Sequence, residues 1–242
     1  MISSLIAAAF IAAFLPASQA LAGDTGRITI AASIFPIASI AQQVGGDLVE
    51  VNVILKPGSN PHTYEPTPGD AKAIARAGVV LLAGFGLDAW LEKLVASAGK
   101  KGAAVIRLSD AIAPIEEEHD YDDGHGHGGV NPHYWLDPVR MIGAVNVIRG
   151  ALIRLDPSRA KTFNANADDV IARLKALDAE ISAALAGAKG GYVAFHAAWD
   201  YFAARYGLVE VGVIEESPGR EPSARKMAAL AAAIKKTGAR AV

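Results

Sequence analysis

The chain contains no cysteine. That excludes disulfides, thiolate metal ligands, a thiol nucleophile and a lipid-modified N-terminal Cys, and leaves any site chemistry to nitrogen and oxygen side chains. Basic runs are also missing and the net charge is −2, so the electrostatic footprint of a nucleic-acid binder is absent. The sequence has no Gly-rich phosphate loop, no serine in a G-x-S-x-G elbow and no His-Glu-x-x-His. The N-terminal apolar run, Leu5–Leu15, is shorter than the about 20 residues needed to span a bilayer.

That run continues into Pro16-Ala17-Ser18-Gln19-Ala20-Leu21-Ala22 and reads as a secretory signal, residues 1–22, cut before Gly23. It departs from the usual pattern in one respect, since no Lys or Arg precedes Arg27. An exported chain without a lipid anchor is expected to be a free periplasmic protein. About 220 residues remain after cleavage, enough for two modest domains or one large one.

What the sequence does have is histidine in stiff settings. The tripeptide Asn-Pro-His occurs at Asn60-Pro61-His62 and again at Asn131-Pro132-His133. Each copy runs into aromatic residues and an acid-proline pair, Thr63-Tyr64-Glu65-Pro66 and Tyr134-Trp135-Leu136-Asp137-Pro138. Proline fixes its own φ and biases its predecessor toward extended geometry, so each imidazole is presented from a segment with little conformational freedom to lose. Two such histidines suggest one site built from two loops.

Short β-branched runs alternate with helical patterns. Strands are expected at Arg27–Ser33, Val51–Leu55, Val79–Ala83 and Ala104–Leu108, with helices at Pro36–Val44, Pro68–Arg76 and Leu87–Ala98. This order implies a parallel sheet with ligands at the carboxyl ends of its strands, and His62 lies just past such an end. A long polar loop follows, residues 109–132. Asp137 can cap the next helix, with Pro138 at its first position, and that helix stops at Asp156-Pro157. Ser158–Ala186 then reads as one helix of about 29 residues and about 43 Å, with an apolar stripe at Val170, Leu174, Leu177, Ile181 and Leu185. A helix of that length suits a strut between two lobes. A second βαβ series begins at Tyr192–Phe195 and His196, continues through Trp199–Tyr206, Val209–Ile214 and Pro222–Lys236, and stops at Ala241-Val242. A sheet with so few strands and an open edge is poorly covered, so this second lobe is expected to be incomplete.

The fold class is therefore α/β. Two lobes of parallel sheet, 23–156 and 188–242, are joined by a rigid linker helix over 157–187. His62, His133 and His196 fall where this architecture exposes side chains, and three neutral imidazoles satisfy most of a tetrahedral zinc shell. His196 follows an apolar strand, which fits a buried core histidine equally well. Tyr64, Tyr134, Trp135, Phe195 and Trp199 are expected to wall the site, with ordinary core packing as the rival for Phe195 and Trp199. His119, His125 and His127 lie among glycines and carboxylates, a setting for loose accessory metal binding or for a plain solvated linker.

Taken in order, Asn60–Pro66, the Gly/His/Asp loop, Asn131–Pro138, Phe195-His196-Ala197-Ala198-Trp199-Asp200-Tyr201-Phe202 and Glu221-Pro222-Ser223 resemble the zinc/manganese solute-binding proteins of bacterial ABC importers, the ZnuA-like group. The resemblance covers nearly the whole mature chain. It implies a metal ion held between two lobes by His62, His133 and His196. A third imidazole and a His-rich loop resemble the zinc branch, because manganese-preferring members carry a carboxylate where His196 stands. The resemblance also implies further strands and an acidic residue beyond 242, so the fourth ligand is expected to be water or a residue this sequence does not contain.

The expected function is a monomeric periplasmic carrier that binds Zn2+ as cargo and passes it to an ABC permease, without enzymatic activity and without a nucleic-acid partner. Its rivals are a zinc hydrolase with a three-histidine site, which would need Glu65 or Asp137 as general base, and a manganese carrier or adhesin of the same fold. Protonated imidazole cannot ligate, so metal affinity is expected to fall below about pH 6.5.

Overall fold

The computed structural model describes residues 26–97, 104–115, 130–188, 191–215 and 221–239. The expected signal, 1–22, and the histidines His119, His125 and His127 lie outside the described residues.

The first sheet contains β1 (Ile28–Ala32), β2 (Val49–Val53), β3 (Val79–Leu82) and β4 (Ala104–Arg107), all parallel, in the order β2-β1-β3-β4. Helices α1 (Phe35–Gly45), α2 (Pro68–Arg76) and α3 (Ala89–Ser97) form its crossovers. β3 is buried along its whole length, and the period-two alternation of a strand divides it between two cores. Val79 and Leu81 pack with α1 and with α4 (Pro138–Leu155), while Val80 and Leu82 join Ile74 of α2 and Leu91 of α3. Helices thus cover both faces, as a parallel sheet requires. β2 ends two residues earlier than the sequence pattern indicates. Ile54 and Leu55 nevertheless still donate to the Ala32 and Ser33 carbonyls at 2.9 and 3.0 Å, so the chain stays extended into the His62 loop.

Local sequence sets the helix ends. Thr67 and Asp70 form a reciprocal capping box with Pro68 at the first position of α2. Asp137 caps α4 by accepting from Val139 N and Arg140 N at 2.8 and 3.2 Å.

The strand order reverses between β1 and β3, where open α/β sheets usually hold their ligand. Here the protein fills that crevice itself. The buried Asp88 carboxylate accepts from Ala83 N at 2.5 Å and Gly84 N at 3.1 Å, and hydrogen-bonds the Ser33 hydroxyl. Burial pushes its pKa up against those bonds. The loop it pins carries positive φ at Gly84 (90°), Phe85 (50°) and Gly86 (81°). A Cβ on Gly84 would stand 2.0 Å from the Ser109 hydroxyl, so glycine is required there on two counts.

Helix α5 (Ala160–Leu185) follows a short 3-10 turn at Pro157–Arg159 and is slightly shorter than the expected 158–186. Phe163, Ala167 and Val170 bury its first half against α1 and α4. Its apolar stripe is not continuous, because Leu177 is 44% exposed. The second sheet has two parallel strands, β5 (Gly191–His196) and β6 (Val209–Glu215), with α6 (Asp200–Tyr206) between them and α7 (Ala224–Thr237) against β6. Ser223 caps α7 through Lys226 N, so this helix starts after Pro222 rather than at it.

Helix α6 fastens the second sheet to the rest. Tyr201 is fully buried in the first core, where its hydroxyl accepts from Ile115 N and donates to Asn131 O at 3.1 and 2.8 Å. Arg205 forks onto Asp178 of α5 at 2.5 and 2.6 Å and reaches Asp137 at 3.5 Å. Among the described residues, no helix is long and apolar enough to cross a membrane.

Candidate metal centre

His62 sits in the loop after β2, on a turn stapled at several points. Asn60 Oδ1 accepts from His62 N at 2.9 Å, and Trp90 of α3 donates its indole N–H to Pro61 O at 3.0 Å. Tyr64 stacks edge-on against Trp90 and donates to Asp70 at 2.9 Å; desolvation, aided by that bond, pushes the phenol up to about 12. His133 lies just before α4 on the same kind of turn, with Asn131 Oδ1 accepting from His133 N at 2.9 Å. The repeated tripeptide thus has a shared local cause, an Asx turn that presents the imidazole. His196 ends β5, level with Glu215 of β6.

The structure brings these three histidines together. One ring nitrogen from each lies within 4.8 Å of the other two, and the ring centroids are 5.1–5.4 Å apart. His62 Nε2 and His133 Nε2 are 3.4 Å apart. A tetrahedral ion with Zn–N bonds of 2.0–2.1 Å spaces two ligands at about 3.3 Å, so this pair already stands at a coordination edge.

Desolvation sets the electrostatics. Burial, aided by the neighbouring His196 and His62, lowers the His133 pKa from 6.5 to about 3. Burial also lowers His196, against an opposing pull from Glu215. Among the described residues, neither ring nitrogen of His196 makes a hydrogen bond of normal geometry, although both are shielded from solvent. Ring nitrogens shielded from water and poorly hydrogen-bonded are costly, and a Lewis acid is the ligand that would satisfy them beside two more imidazoles. These shifts also correct the pH expectation. His133 stays neutral well below pH 6.5, so protons compete with metal there only at lower pH, and His196 is shifted in the same direction.

The expected aromatic wall is reduced largely to Trp135, which packs edge-on to His133 at 5.2 Å. With Pro61, Trp135 also lines an apolar cavity of about 500 Å³ beside the site. Tyr134 belongs to the first core, its hydroxyl donating to Ala83 O, and Tyr64 belongs to the layer under α2 and α3. Phe195 and Trp199 are 65% and 40% exposed, so they are neither wall nor core. Phe195 stands on the face of β5 turned away from the small apolar cluster at Ala194 and Val213. Asp137 is spent on its cap and on ion pairs to Arg140 and Arg205, and Glu65 is exposed. Neither belongs to the histidine cluster.

Two partners of His133 escaped the sequence reading. Asn131 is buried and touches the imidazole itself, and Asp200 of α6 bonds Asn131. The doubled Asn-Pro-His was the available signal for Asn131, since proline alone would have sufficed for stiffness. Asp200 lies in the His196 segment that carries the resemblance, but nothing in the letters ties it to Asn131.

Residues 30–242 match the family described as zinc-uptake complex component A, periplasmic (ZnuA). The chain belongs to the ZnuA family. It is 35% identical over 243 residues to the zinc-binding lipoprotein AdcA of Streptococcus pneumoniae serotype 4, a match that covers 96% of this chain and 48% of AdcA. The chain therefore spans about half the length of that relative. Among solved structures, a crystal structure of ZnuA superposes with a TM-score of 0.78 at 30% identity, covering 88% of this chain and 79% of that one. FpvC of P. aeruginosa in complex with Ni2+ superposes with a TM-score of 0.74 at 32% identity, covering 88% and 76%. The parallel sheets flanked by helices are thus the ZnuA-type fold.

Proposed function

We propose that this ZnuA-family protein captures Zn2+ at His62, His133 and His196 and delivers it, outside the cytoplasm, to an ABC permease. In this reading the metal is cargo, the protein is a monomeric carrier rather than an enzyme, and residues 1–22 are the export signal. Residues 23–156 and 188–242 act as two lobes joined by the helix at 157–187, and His119, His125 and His127 form a weak collecting loop.

The observation that carries the reading is the convergence of three imidazoles, two of them at the spacing of a coordination edge, with both ring nitrogens of His196 shielded from solvent. All-nitrogen donors suit zinc, copper and nickel better than manganese, which favours carboxylate oxygen. Names among the relatives and neighbours include zinc binders and a nickel complex, and the donor set fits both. The lipoprotein AdcA and the family's role in zinc uptake support the choice of zinc. A hydrolase needs a general base beside the metal-bound water, and Asp137 and Glu65 are placed elsewhere.

Zinc titration against a chelator of known affinity tests this directly on the wild-type protein and on His196→Ala. One tight site per chain, weakened more than about 100-fold in the variant and so beyond the usual effect of an outer-shell change, is expected. Equal affinity in both proteins, or zinc-dependent ester or peptide hydrolysis by the wild type, would overturn the carrier reading.

A further inference from the structure

The side-chain amide of Asn131 joins the two halves of the protein at the ligand His133. Its oxygen, Oδ1, accepts from His133 N at 2.9 Å and faces His133 Nδ1 at 2.8 Å. Its nitrogen, Nδ2, donates to Ala197 O at 3.3 Å and to Asp200 Oδ2 at 2.8 Å. This orientation is forced. A backbone N–H on one side demands an acceptor, and a carbonyl and a carboxylate on the other demand a donor. His133 Nδ1 must then carry the proton, and its Nε2 keeps the lone pair that points toward His62 Nε2 at 3.4 Å.

We infer that Asp200, acting through Asn131, is a positioning residue that locks His133 in its metal-ready tautomer and makes metal affinity depend on the seating of α6. This rests on the reading of His133 as a metal ligand. A carboxylate that orients a ligating imidazole directly is a common arrangement in metal proteins. Here an amide is interposed, which lets the carboxylate sit on the far element. Asp200 is the first residue of α6, and Ala197 directly follows the ligand His196. One amide therefore reads the position of β5 and α6 and passes it to the ring of His133. If α6 moves away, Nδ2 loses its charged acceptor Asp200 and keeps only the longer bond to Ala197 O, the amide is held less firmly, and the proton is freer to move to Nε2, where it blocks coordination. Metal release by a partner that shifts α6 needs no direct attack on the ligands.

The test combines Asp200→Ala and Asp200→Asn with two readouts. Long-range ¹⁵N–¹H correlation spectra of the metal-free protein report which nitrogen of His133 carries the proton, and chelator competition reports zinc affinity. Wild type is expected to show the Nδ1–H form alone. Asp200→Ala should show a tautomer mixture and an about 10- to 100-fold weaker affinity. Asp200→Asn keeps an acceptor without the charge, so it should keep the tautomer and lose less than about tenfold. A His133 proton on Nε2 in the wild type overturns the inference, even if the alanine variant fails to fold. So does an Asp200→Ala protein with unchanged tautomer and affinity. If the wild type takes up no zinc, the carrier reading falls, while the tautomer spectra of wild type and Asp200→Ala still decide the role of Asp200.

Discussion

At His133 burial and hydrogen bonding act in the same direction. Desolvation removes the charged form, and the amide of Asn131 fixes which neutral form remains. The depressed pKa is also a statement about stability. Between about pH 6.5 and about pH 3 the unfolded chain binds a proton at this position that the folded chain does not. The lowered pKa of His196 has the same sign. Metal-free protein should therefore be most stable above pH 6.5 and lose stability steadily as pH falls toward 3. Melting temperatures of chelator-treated protein at pH 7, 5.5 and 4.5 check this. His133→Gln should flatten the part of the slope that belongs to His133, and an unchanged slope would mean that the imidazole is not held neutral. The turns that carry His62 and His133 are legible in the letters, because Asn-Pro-His encodes an Asx turn by local chemistry alone. The His196 environment was not, since it depends on how two sheets far apart in sequence come together.

At the scale of elements, the strain sits in one loop and the packing in half of one helix. The turn Ala83–Asp88 keeps three successive residues at positive φ because the buried Asp88 carboxylate ties its backbone amides down. Gly84→Ala should cost at least about 2 kcal/mol in urea unfolding, from backbone strain and from collision with the Ser109 hydroxyl. In α5, Phe163→Ala should cost about 3–5 kcal/mol, whereas Leu177→Ala should stay within about 0.5 kcal/mol. Equal losses at the two positions would contradict the one-sided burial of this helix. Periodicity revealed strands, crossovers and caps to within a residue or two, because each is written in local pattern. It overstated the stripe of α5, because periodicity shows which face is apolar and not how far a neighbour extends along it. The aromatic wall was misjudged for a related reason, since an apolar ring near a ligand in sequence can point to either face of its strand.

For the molecule as a whole, two parallel sheets of unequal size meet through α5, α6 and the Asn131 amide, and the three histidines lie where they meet. The switch point of the first sheet is occupied by Asp88, and the histidine cluster lies elsewhere, with His196 on the second sheet. Two of these histidines come from the first half and the third from the second. The measurement that tests this account most directly is X-ray absorption at the zinc edge on protein loaded with one equivalent of metal. The account predicts three imidazole nitrogens at about 2.0–2.1 Å with one further light donor. A fit with two imidazoles or fewer would contradict it.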